Sequence, residues 1–381
     1  MSIALINGKV LTPTGFAPGK TVLVKDGRIE AVTDATATRS SAYRSFDLHG
    51  CLLMPGFIDV QVNGGGGVLF NDNPGVESIR AIGAAHRRFG TTGFLPTLIS
   101  DDLHVVARAM AAVQAAIEAG VPGVLGIHIE GPFLNVQRKG VHDAAKLREL
   151  DETALKLLTS LRGGKTLITL APEMTTPQII RKLTDAGVIV SAGHTNATYS
   201  EVRQALDNGL TGFTHLFNAM SQLTGREPGV VGAALDDPTS WCGIILDGQH
   251  VDPVVLRIAL RSKPHDRFML VTDAMPSVGI DGDSFMLQGR RISVVDGKCL
   301  DEAGTLAGSH LNMAEAVGNA VQMLDIDLPL ATRMASQYPA AFLGLDHELG
   351  RIEPGYRACL AAVDEKMNVV ETWVDGRRNG E

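Results

Sequence analysis

Polar side chains that could bind a metal or move a proton follow four separate apolar runs of this sequence. Glu130 ends the run VLGIHIE, His194 and His215 follow VIVSAG and GFT, and Asp273 follows FMLVT. Carboxylates and imidazoles bind catalytic divalent metals and transfer protons beside them. The carboxyl ends of parallel barrel strands meet at one pocket, so residues far apart in the chain would converge there. The set therefore predicts a metal-dependent hydrolase.

Each of these residues also has a structural explanation. A single histidine after a strand is more often a hydrogen-bonded structural residue than a metal ligand. Here the polar residues recur at corresponding strand ends, which favours a catalytic site at the rim of a barrel over separate structural roles. For Asp273, the alternatives to acid–base work are an N-cap of the next helix and a fourth metal ligand. His128 shares a strand face with Glu130, and we expect it behind the ligands or in the core, because a carboxylate better offsets the charge of a metal.

A fifth apolar run, GFIDVQVN, precedes these four and carries two amides, Gln61 and Asn63. Amides are weak ligands for a metal such as zinc compared with imidazole or carboxylate. Many metal hydrolases of this architecture have two histidines one residue apart at this point. We therefore expect a site for one metal, with Gln61 and Asn63 at vestigial or second-metal positions.

Short apolar runs alternate with amphipathic segments from Pro55 onward, which is the pattern of repeated βα units. The candidate strands are GFIDVQV, GFLPTL, GVLGIHI, TLITLA, GVIVSA, GFTHLF, CGIILD and FMLVTD. Segments between them, such as VESIRAIGAAHRRFG and PVVLRIALRS, predict helices. Eight strands with intervening helices predict an α/β fold, a (β/α)8 TIM-type barrel.

Both ends of the chain have a different pattern of apolar and polar residues. Short alternating runs separated by Asn-Gly and Asp-Gly predict hairpins before the barrel, and similar runs return after about Leu345. We expect residues 1–53 and 345–381 to form one small β-sandwich-like domain beside a barrel of residues 54–344. After Asp273 the sequence predicts an insertion of strands from the rim, then helices near 312–324 and 330–343. The glycines at 64–67 predict a tight turn rather than a phosphate cradle.

Composition and charge argue against several classes of partner. The 381 residues carry a formal charge of -8 with no long basic or acidic run, so we expect no nucleic-acid or membrane partner. The four cysteines lie far apart, so neither a zinc ribbon nor a disulfide framework is predicted. No window approaches the roughly 18 apolar residues of a membrane span, and the N-terminal segment lacks a signal-peptide pattern. We expect a cytoplasmic protein.

A series of motifs resembles the N-acetylglucosamine-6-phosphate deacetylases of the amidohydrolase superfamily. In chain order they are PGFIDVQVNGGGG, GIHIEGPFLN, KGVHD, LAPE, SAGHTNAT, THLFNAM, GREPG, DGQHVD, VTDAM and GTLAGS. The resemblance covers essentially the whole chain, and Gln-x-Asn in the first strand separates this family from relatives that keep His-x-His. The segment DAAKLREL after His142 departs from the family's pattern, which leaves the contacts of that loop open.

The resemblance implies a role for most of these residues. Glu130, His194 and His215 would hold one divalent metal, with zinc expected and iron or manganese as alternatives. Arg226 and His250 would hold a phosphate across the interface of a homodimer. The residues expected to line the substrate pocket are Val141, His142, Asn218, Ala219, Asp247, Gly248, Gln249, Leu306, Ala307 and Gly308.

The chemistry of amide hydrolysis fits the same residues. It requires a nucleophile at neutral pH, a stabilised oxyanion and a proton for the departing amine, and a divalent metal supplies the first two. Asp273 would take a proton from water and hand it to the amine, while His142 would share the oxyanion, a contribution of roughly 3 to 4 kcal/mol. This chemistry predicts an amide hydrolase, and the resemblance implies that the reaction is removal of acetate from N-acetyl-D-glucosamine 6-phosphate. The alternatives are N-acetylgalactosamine 6-phosphate or a non-phosphorylated N-acyl sugar as substrate, and a metal-free barrel that serves as a scaffold or binding protein.

Overall fold

The computed structural model describes residues 2–34 and 42–380. Its chain begins with five strands of one sheet: β1 (Ser2–Thr12), β2 (Gly15–Lys25), β3 (Arg28–Asp34), β4 (Arg44–Asp47) and β5 (Leu52–Pro55). β2 pairs antiparallel with β1 and β3, whereas β4 and β5 run parallel to β1. The chain leaves this sheet after β5 and enters a barrel.

The barrel is a ring of parallel strands. The strands of this region are β6 (Phe57–Val62), β7 (Gly64–Gly65), β8 (Val68–Leu69), β9 (Thr91–Ile99), β10 (Gly126–Glu130), β11 (Lys165–Leu170), β12 (Ile189–Ala192), β13 (Gly212–Phe213), β14 (Trp241–Ile245) and β15 (Phe268–Val271). Neighbours pair in chain order from β6 and β9 to β15. The ring closes where the N–H of Asp273 donates to the carbonyl of Gln61 at 3.0 Å and Val62 bridges Ala274.

All eight apolar runs predicted as strands lie in this barrel, which confirms the expected fold. The run GFTHLF contributes only Gly212–Phe213 as strand, because the backbone turns left-handed at His215 with φ 33°. β7 and β8 form a hairpin in which Gly66 and Gly67 adopt φ of 62° and 82°. The glycine run therefore forms the predicted tight turn, since glycine takes these angles without steric cost.

Helices cover the outside of the barrel. They are α1 (Val76–Arg87), α2 (Leu103–Glu118), α3 (Glu152–Leu158), α4 (Pro177–Asp185), α5 (Tyr199–Asp207), α6 (Gly229–Asp236) and α7 (Pro253–Ser262). Polar side chains cap the N-termini of several of these helices. Thr198 and Glu201, for example, form a capping box at α5. The sequence interpretation did not identify α3 and α6. The residues of α6, GVVGAALD, are almost all buried, so this helix has no polar face to reveal its period.

An antiparallel insertion and three helices follow the last barrel strand. The insertion contains β16 (Ser284–Leu287), β17 (Arg290–Val295), β18 (Lys298–Leu300) and β19 (Leu306–Ser309), and the helices are α8 (Met313–Leu324), α9 (Leu328–Ala335) and α10 (Gln337–Phe342). The prediction of a single helix over 330–343 is wrong. Ser336, with φ -138° and ψ -70°, separates α9 from α10. In the described part of the chain, no helix has the length and apolar content to cross a membrane.

The last strands return to the first sheet. They are β20 (Leu360–Val363), β21 (Val369–Val374) and β22 (Arg377–Arg378), and β20 pairs antiparallel with β5. Alternate residues of β20 face opposite sides: Ala361 packs with the barrel core, whereas Leu360 and Ala362 pack in a second core within the small domain. The two ends of the chain thus form one sheet domain, as expected. The domain boundaries expected after residues 53 and 344 stay a prediction. β5 spans the first of these boundaries.

Candidate active site

Three side chains from three barrel strands converge at the carboxyl end of the barrel. Glu130 is the last residue of β10, and His194 and His215 each lie two residues past a strand, β12 and β13. Oε1 of Glu130 lies 3.2 Å from Nε2 of His194 and 3.0 Å from Nε2 of His215. The two Nε2 atoms are 3.1 Å apart, and all three side chains are buried.

The donor set fits a divalent cation. The Nδ1–H of His194 donates to the carbonyl of Arg138 at 2.8 Å, so its Nε2 presents a lone pair towards Glu130 and His215. Burial acts to raise the pKa of Glu130, but the two imidazoles that face it hold that pKa well below its ordinary value. A buried, ionised carboxylate that faces two imidazoles is stabilised by positive charge held among them. Glu130, His194 and His215 therefore form a cluster suited to a single metal.

Asp273 lies two residues past β15, beside this cluster. Its Oδ1 accepts hydrogen bonds from Nδ2 of Asn63 at 2.6 Å and Nε2 of Gln61 at 3.1 Å. Burial, together with the negative charge of Glu130, raises the pKa of Asp273 to about 6. The next helix, α8, begins only at Met313, so Asp273 does not cap a helix. A carboxylate with a pKa near neutrality can both accept and donate a proton.

The amide of Gln61 bridges the carboxylates of Asp273 and Glu130. Besides its bond to Asp273, Nε2 of Gln61 lies 3.3 Å from each carboxylate oxygen of Glu130. The N–H groups of Gln61 place partial positive charge between the buried Glu130 and the half-buried Asp273. This arrangement agrees with a site for one metal.

The backbone is strained at the residues that carry the chemistry. His194, His215 and Asp273 have φ of 48°, 33° and 53°, in the left-handed region that residues with a side chain rarely adopt. Such strain persists only where the surrounding structure imposes it, and it concentrates at functional sites. Each turn places its side chain into the barrel mouth immediately after the strand.

His142 lies against the cluster, with its ring centroid 4.4 Å from that of His194. Its Nδ1 faces both the backbone N–H of Ser100, at 3.3 Å, and the hydroxyl of Ser100, at 2.7 Å. Burial lowers the pKa of His142 to about 3, so the ring is neutral at neutral pH. The sequence interpretation identified His142 but not Ser100, because one serine after an apolar strand carries no pattern.

His128 is a core residue. Its Nδ1 lies 3.2 Å from Oγ1 of Thr97 and its Nε2 lies 2.8 Å from Oγ1 of Thr169, so threonine hydroxyls satisfy both ring nitrogens. Burial lowers its pKa to about 4. His128 shares strand β10 with Glu130, but within the described residues it does not hydrogen-bond to the cluster.

A cavity of about 310 Å³ opens above the cluster. It brings together most of the residues predicted from the sequence: Asn63, Glu130, Val141, His142, His194, His215, Asn218, Ala219, His250, Asp273, Leu306 and Gly308. The predicted residues that lie off its wall are Gln61, Arg226, Asp247, Gly248, Gln249 and Ala307. The ends of seven barrel strands, the loop before His142 and the antiparallel insertion thus enclose one space.

The predicted residues off the cavity wall have other positions. Oδ2 of Asp247 lies 2.6 Å from Nδ1 of His250 and so orients that ring at the cavity. Gly248 has φ 70° in the turn that leads to Gln249. Ala307 is fully buried in the core that joins the insertion to the barrel rim. Arg226 is exposed in the loop before α6.

The cavity also contains residues that the sequence interpretation missed, namely Ile99, Gln137, Arg138, Gly140, Ile245, Met275 and Thr305. Gln137 and Arg138 fall between the motifs GPFLN and KGVHD, a stretch without a periodic pattern. Arg138 orients His194 through its backbone carbonyl. No side-chain signal could have revealed that contact, because any residue has the same carbonyl.

Comparisons with known proteins agree with this geometry. Residues 52–378 match the sequence profile of the amidohydrolase family. The N-acetylgalactosamine-6-phosphate deacetylase of Shewanella sp. (strain ANA-3) is 43% identical over 97% of this chain and 93% of that protein. The N-acetylglucosamine-6-phosphate deacetylase of Haemophilus influenzae is 37% identical over 99% of both chains.

A solved structure has the same architecture throughout. The N-acetylglucosamine-6-phosphate deacetylase of Pasteurella multocida superposes with a TM-score of 0.95 at 38% identity, covering 99% of both chains. The barrel and the sheet formed by both ends of the chain are thus those of a known fold with a matching sequence. This chain belongs to the amidohydrolase family.

Proposed function

We propose that this protein removes acetate from N-acetyl-D-glucosamine 6-phosphate by hydrolysis and yields D-glucosamine 6-phosphate. The observation that carries the proposal is the convergence of Glu130, His194 and His215 with the carboxylate of Asp273 on one cavity. Relatives with full-length similarity are named as deacetylases of phosphorylated N-acetylhexosamines. Hydrolysis of an amide is the chemistry that this donor set and a neighbouring acid–base group can perform.

Glu130, His194 and His215 would hold one divalent cation, with zinc expected and iron or manganese as alternatives. When bound, the cation supplies Lewis acidity towards water and the acetyl carbonyl. The protein contributes the orientation of the ligands: the carbonyl of Arg138 holds the His194 ring. Gln61 holds the Glu130 carboxylate from the other side.

Asp273 is the proposed acid–base group. Its carboxylate would accept a proton from the attacking water and later donate that proton to the amine nitrogen, so one group serves both halves of the reaction. The neutral ring of His142 would donate a hydrogen bond to the acetyl oxygen as negative charge develops there. His142 is buried and Asp273 is half-buried on the cavity wall, so water weakens these interactions less than it would at the protein surface.

The sugar phosphate would occupy the rest of the cavity. Asn218, Ala219, Leu306 and Gly308 form its wall. His250 is held by Asp247 and lines the cavity of its own chain. We therefore propose that it contacts the phosphate there, and not across a dimer interface as the resemblance implied. Arg226 is exposed on a loop, and its planar guanidinium suits a phosphate. We propose that it reaches the cavity of a second copy in a homodimer, and we keep a cytoplasmic location as a prediction.

A second candidate substrate is N-acetyl-D-galactosamine 6-phosphate. The relative from Shewanella, named for that substrate, is 43% identical, compared with 37% for the relative from Haemophilus influenzae. The two sugars differ only at C4, so the same reacting groups would serve both. A metal-free scaffold is not favoured, because all four chemically active residues are present in one cavity.

Acetate release from both phosphorylated sugars, and from N-acetylglucosamine without phosphate, tests the proposal. The assay is run before and after treatment with a chelator, with metal content measured on the same sample. We expect chelator-sensitive release, about one metal per chain and a higher kcat/KM for N-acetylglucosamine 6-phosphate. A higher kcat/KM for the galactose epimer would favour the second candidate, and no release from any of the three would contradict the proposed function.

A further inference from the structure

We propose that Ser100 is a positioning residue that holds the ring of His142 in its Nε2–H tautomer, ready to donate a hydrogen bond to the acetyl oxygen. This inference rests on the proposed deacetylase function for its consequence, although the tautomer itself can be measured independently. The contact that carries it joins Nδ1 of His142 to two atoms of Ser100.

The contact fixes where the imidazole proton lies. The backbone N–H of Ser100 points at Nδ1 of His142 at 3.3 Å, and a backbone N–H can only donate. A proton on Nδ1 would face that N–H directly, so Nδ1 must present its lone pair. The hydroxyl of Ser100, at 2.7 Å, then donates to the same lone pair and strengthens the preference. The ring proton is therefore on Nε2.

The position of Ser100 is itself fixed. It is the first residue after β9, and only 1% of its surface is exposed. Asn71 holds the preceding residue at both backbone groups: Oδ1 accepts from the N–H of Ile99 at 3.0 Å, and Nδ2 donates to its carbonyl at 3.0 Å. The carbonyl of Ser100 accepts from Nε2 of Gln288 at 2.9 Å. The barrel and the insertion thus clamp this strand end.

The opposite edge of the His142 ring is available for substrate. The ring lines the cavity, and none of the described residues forms a hydrogen bond with its Nε2. An Nε2–H group would donate to an acetyl oxygen, whereas an Nε2 lone pair would repel it. Ser100 therefore decides whether His142 helps or hinders the reaction, although Ser100 itself does not line the cavity.

The chain offers a matched control. Oγ of Ser277 lies 2.9 Å from Nδ1 of His310, and Ser277 is 3% exposed, so this pair is also a buried serine bonded to a histidine Nδ1. Neither residue lies on the cavity wall. Ser277→Ala removes an equivalent hydroxyl without touching His142.

The first experiment measures the tautomer by ¹⁵N NMR of protein labelled at histidine, with the His142 signals assigned from a His142→Gln spectrum. In the unsubstituted enzyme we expect an Nδ1 shift typical of a hydrogen-bonded lone pair and an Nε2 shift typical of N–H. Ser100→Ala should move the Nδ1 shift and bring the two nitrogens closer to their tautomer average, while Ser277→Ala should leave both unchanged. Unchanged His142 shifts in Ser100→Ala would overturn the proposal.

The second experiment measures kcat and KM for N-acetylglucosamine 6-phosphate in the same variants. We expect Ser100→Ala to lower kcat roughly tenfold with little change in KM or metal content, and Ser100→Thr to recover most of the loss. An unchanged kcat in Ser100→Ala, or an equal loss in Ser277→Ala, would contradict the proposal. If Ser100→Thr does not fold, the two alanine variants decide. No acetate release by the unsubstituted enzyme would contradict the proposed function instead, and the nitrogen shifts would still decide the tautomer.

Discussion

Nδ2 of Asn63 donates a hydrogen bond of 2.6 Å to Oδ1 of Asp273. Nε2 of Gln61 donates to the same oxygen at 3.1 Å, so both amides bind Oδ1. Within the described residues, no donor is bonded to Oδ2. That oxygen therefore remains available to receive and return a proton, and the Gln-x-Asn pair orients the carboxylate in place of a second metal.

Asn63→Ala should make the enzyme more sensitive to acid. Burial and the charge of Glu130 raise the pKa of Asp273 to about 6, and the hydrogen bond from Asn63 opposes that rise by stabilising the carboxylate. In the proposed mechanism activity requires the carboxylate form of Asp273, so activity should fall as the pH drops through this pKa. A bound cation moves the fall to lower pH. Without Asn63 the acid limb of kcat against pH should move upward by about one pH unit.

The control for Asn63→Ala is Asn208→Ala, which removes an amide at the end of α5, far from the cavity. Its acid limb should match that of the unsubstituted enzyme. An acid limb that does not move in Asn63→Ala, at unchanged metal content, would show that the 2.6 Å bond does not tune Asp273.

Asp273→Asn should abolish turnover and leave the metal in place. The amide is similar in size to the carboxylate but cannot accept the water proton, and general acid–base catalysis contributes about 10² to 10⁴ in rate. Metal content should stay near one per chain, because the ligand cluster is Glu130, His194 and His215. The matched control is Asp185→Asn at the exposed end of α4. Loss of metal in Asp273→Asn would make Asp273 a fourth ligand instead.

The barrel and the convergence of its polar strand-end residues could be predicted because their signals are periodic. Eight apolar runs recur along the chain, and parallel pairing sends Glu130, His194, His215 and Asp273 to the same end of the ring. The terminal sheet was predicted from turn signals at both ends of the chain. Each of these features repeats a simple pattern, so the sequence determines it without knowledge of detailed contacts.

The features that the sequence interpretation missed produce no periodic pattern in the sequence. Six of the eight residues of α6 are buried, so its sequence lacks an amphipathic period. Arg138 acts on His194 through a carbonyl, and Ser100 acts on His142 partly through a backbone N–H. Side-chain identity does not encode such contacts. They follow from loop geometry, which a single sequence does not specify.

Removal of the metal should lower thermal stability, and Glu130→Gln should abolish that effect. A ligand that binds only the folded state stabilises it by about 2.7 kcal/mol at a free concentration 100 times Kd. We therefore expect a lower Tm after chelation of the unsubstituted protein and no such change in Glu130→Gln. Glu302→Gln, an exposed residue of the insertion, should behave like the unsubstituted protein. Equal shifts in Glu130→Gln and Glu302→Gln would place the metal elsewhere.

His86 should make the fold sensitive to acid. Its Nε2–H donates to the carbonyl of Gly64 at 2.9 Å, and burial lowers its pKa to about 4 from the ordinary value of 6.5. The unfolded chain therefore binds a proton at higher pH than the folded protein does. Stability present above pH 6.5 is lost as the pH falls towards 4, by about 3 kcal/mol for this group.

Urea unfolding between pH 4.5 and 7 tests the contribution of His86. His86→Gln lacks the titrating group, so the stability difference between the unsubstituted protein and this variant should narrow as the pH falls. Other buried histidines, such as His128, titrate equally in both proteins and cancel in the comparison. A difference that stays constant with pH would mean that His86 is protonated equally in the folded and unfolded states.

Arg226→Ala should weaken binding of phosphorylated substrate selectively. Hydrogen bonds to a charged group contribute about 1.5 to 3 kcal/mol, so KM for N-acetylglucosamine 6-phosphate should rise roughly 10- to 100-fold. The effect on N-acetylglucosamine without phosphate should be small, because that sugar has no partner for the guanidinium. Arg162→Ala, at another exposed arginine, controls for loss of charge alone. Equal changes in KM for both sugars would argue against a phosphate contact. Because Arg226 is exposed in its own chain, a phosphate effect that disappears on dilution to monomers would place this residue in the cavity of the second copy.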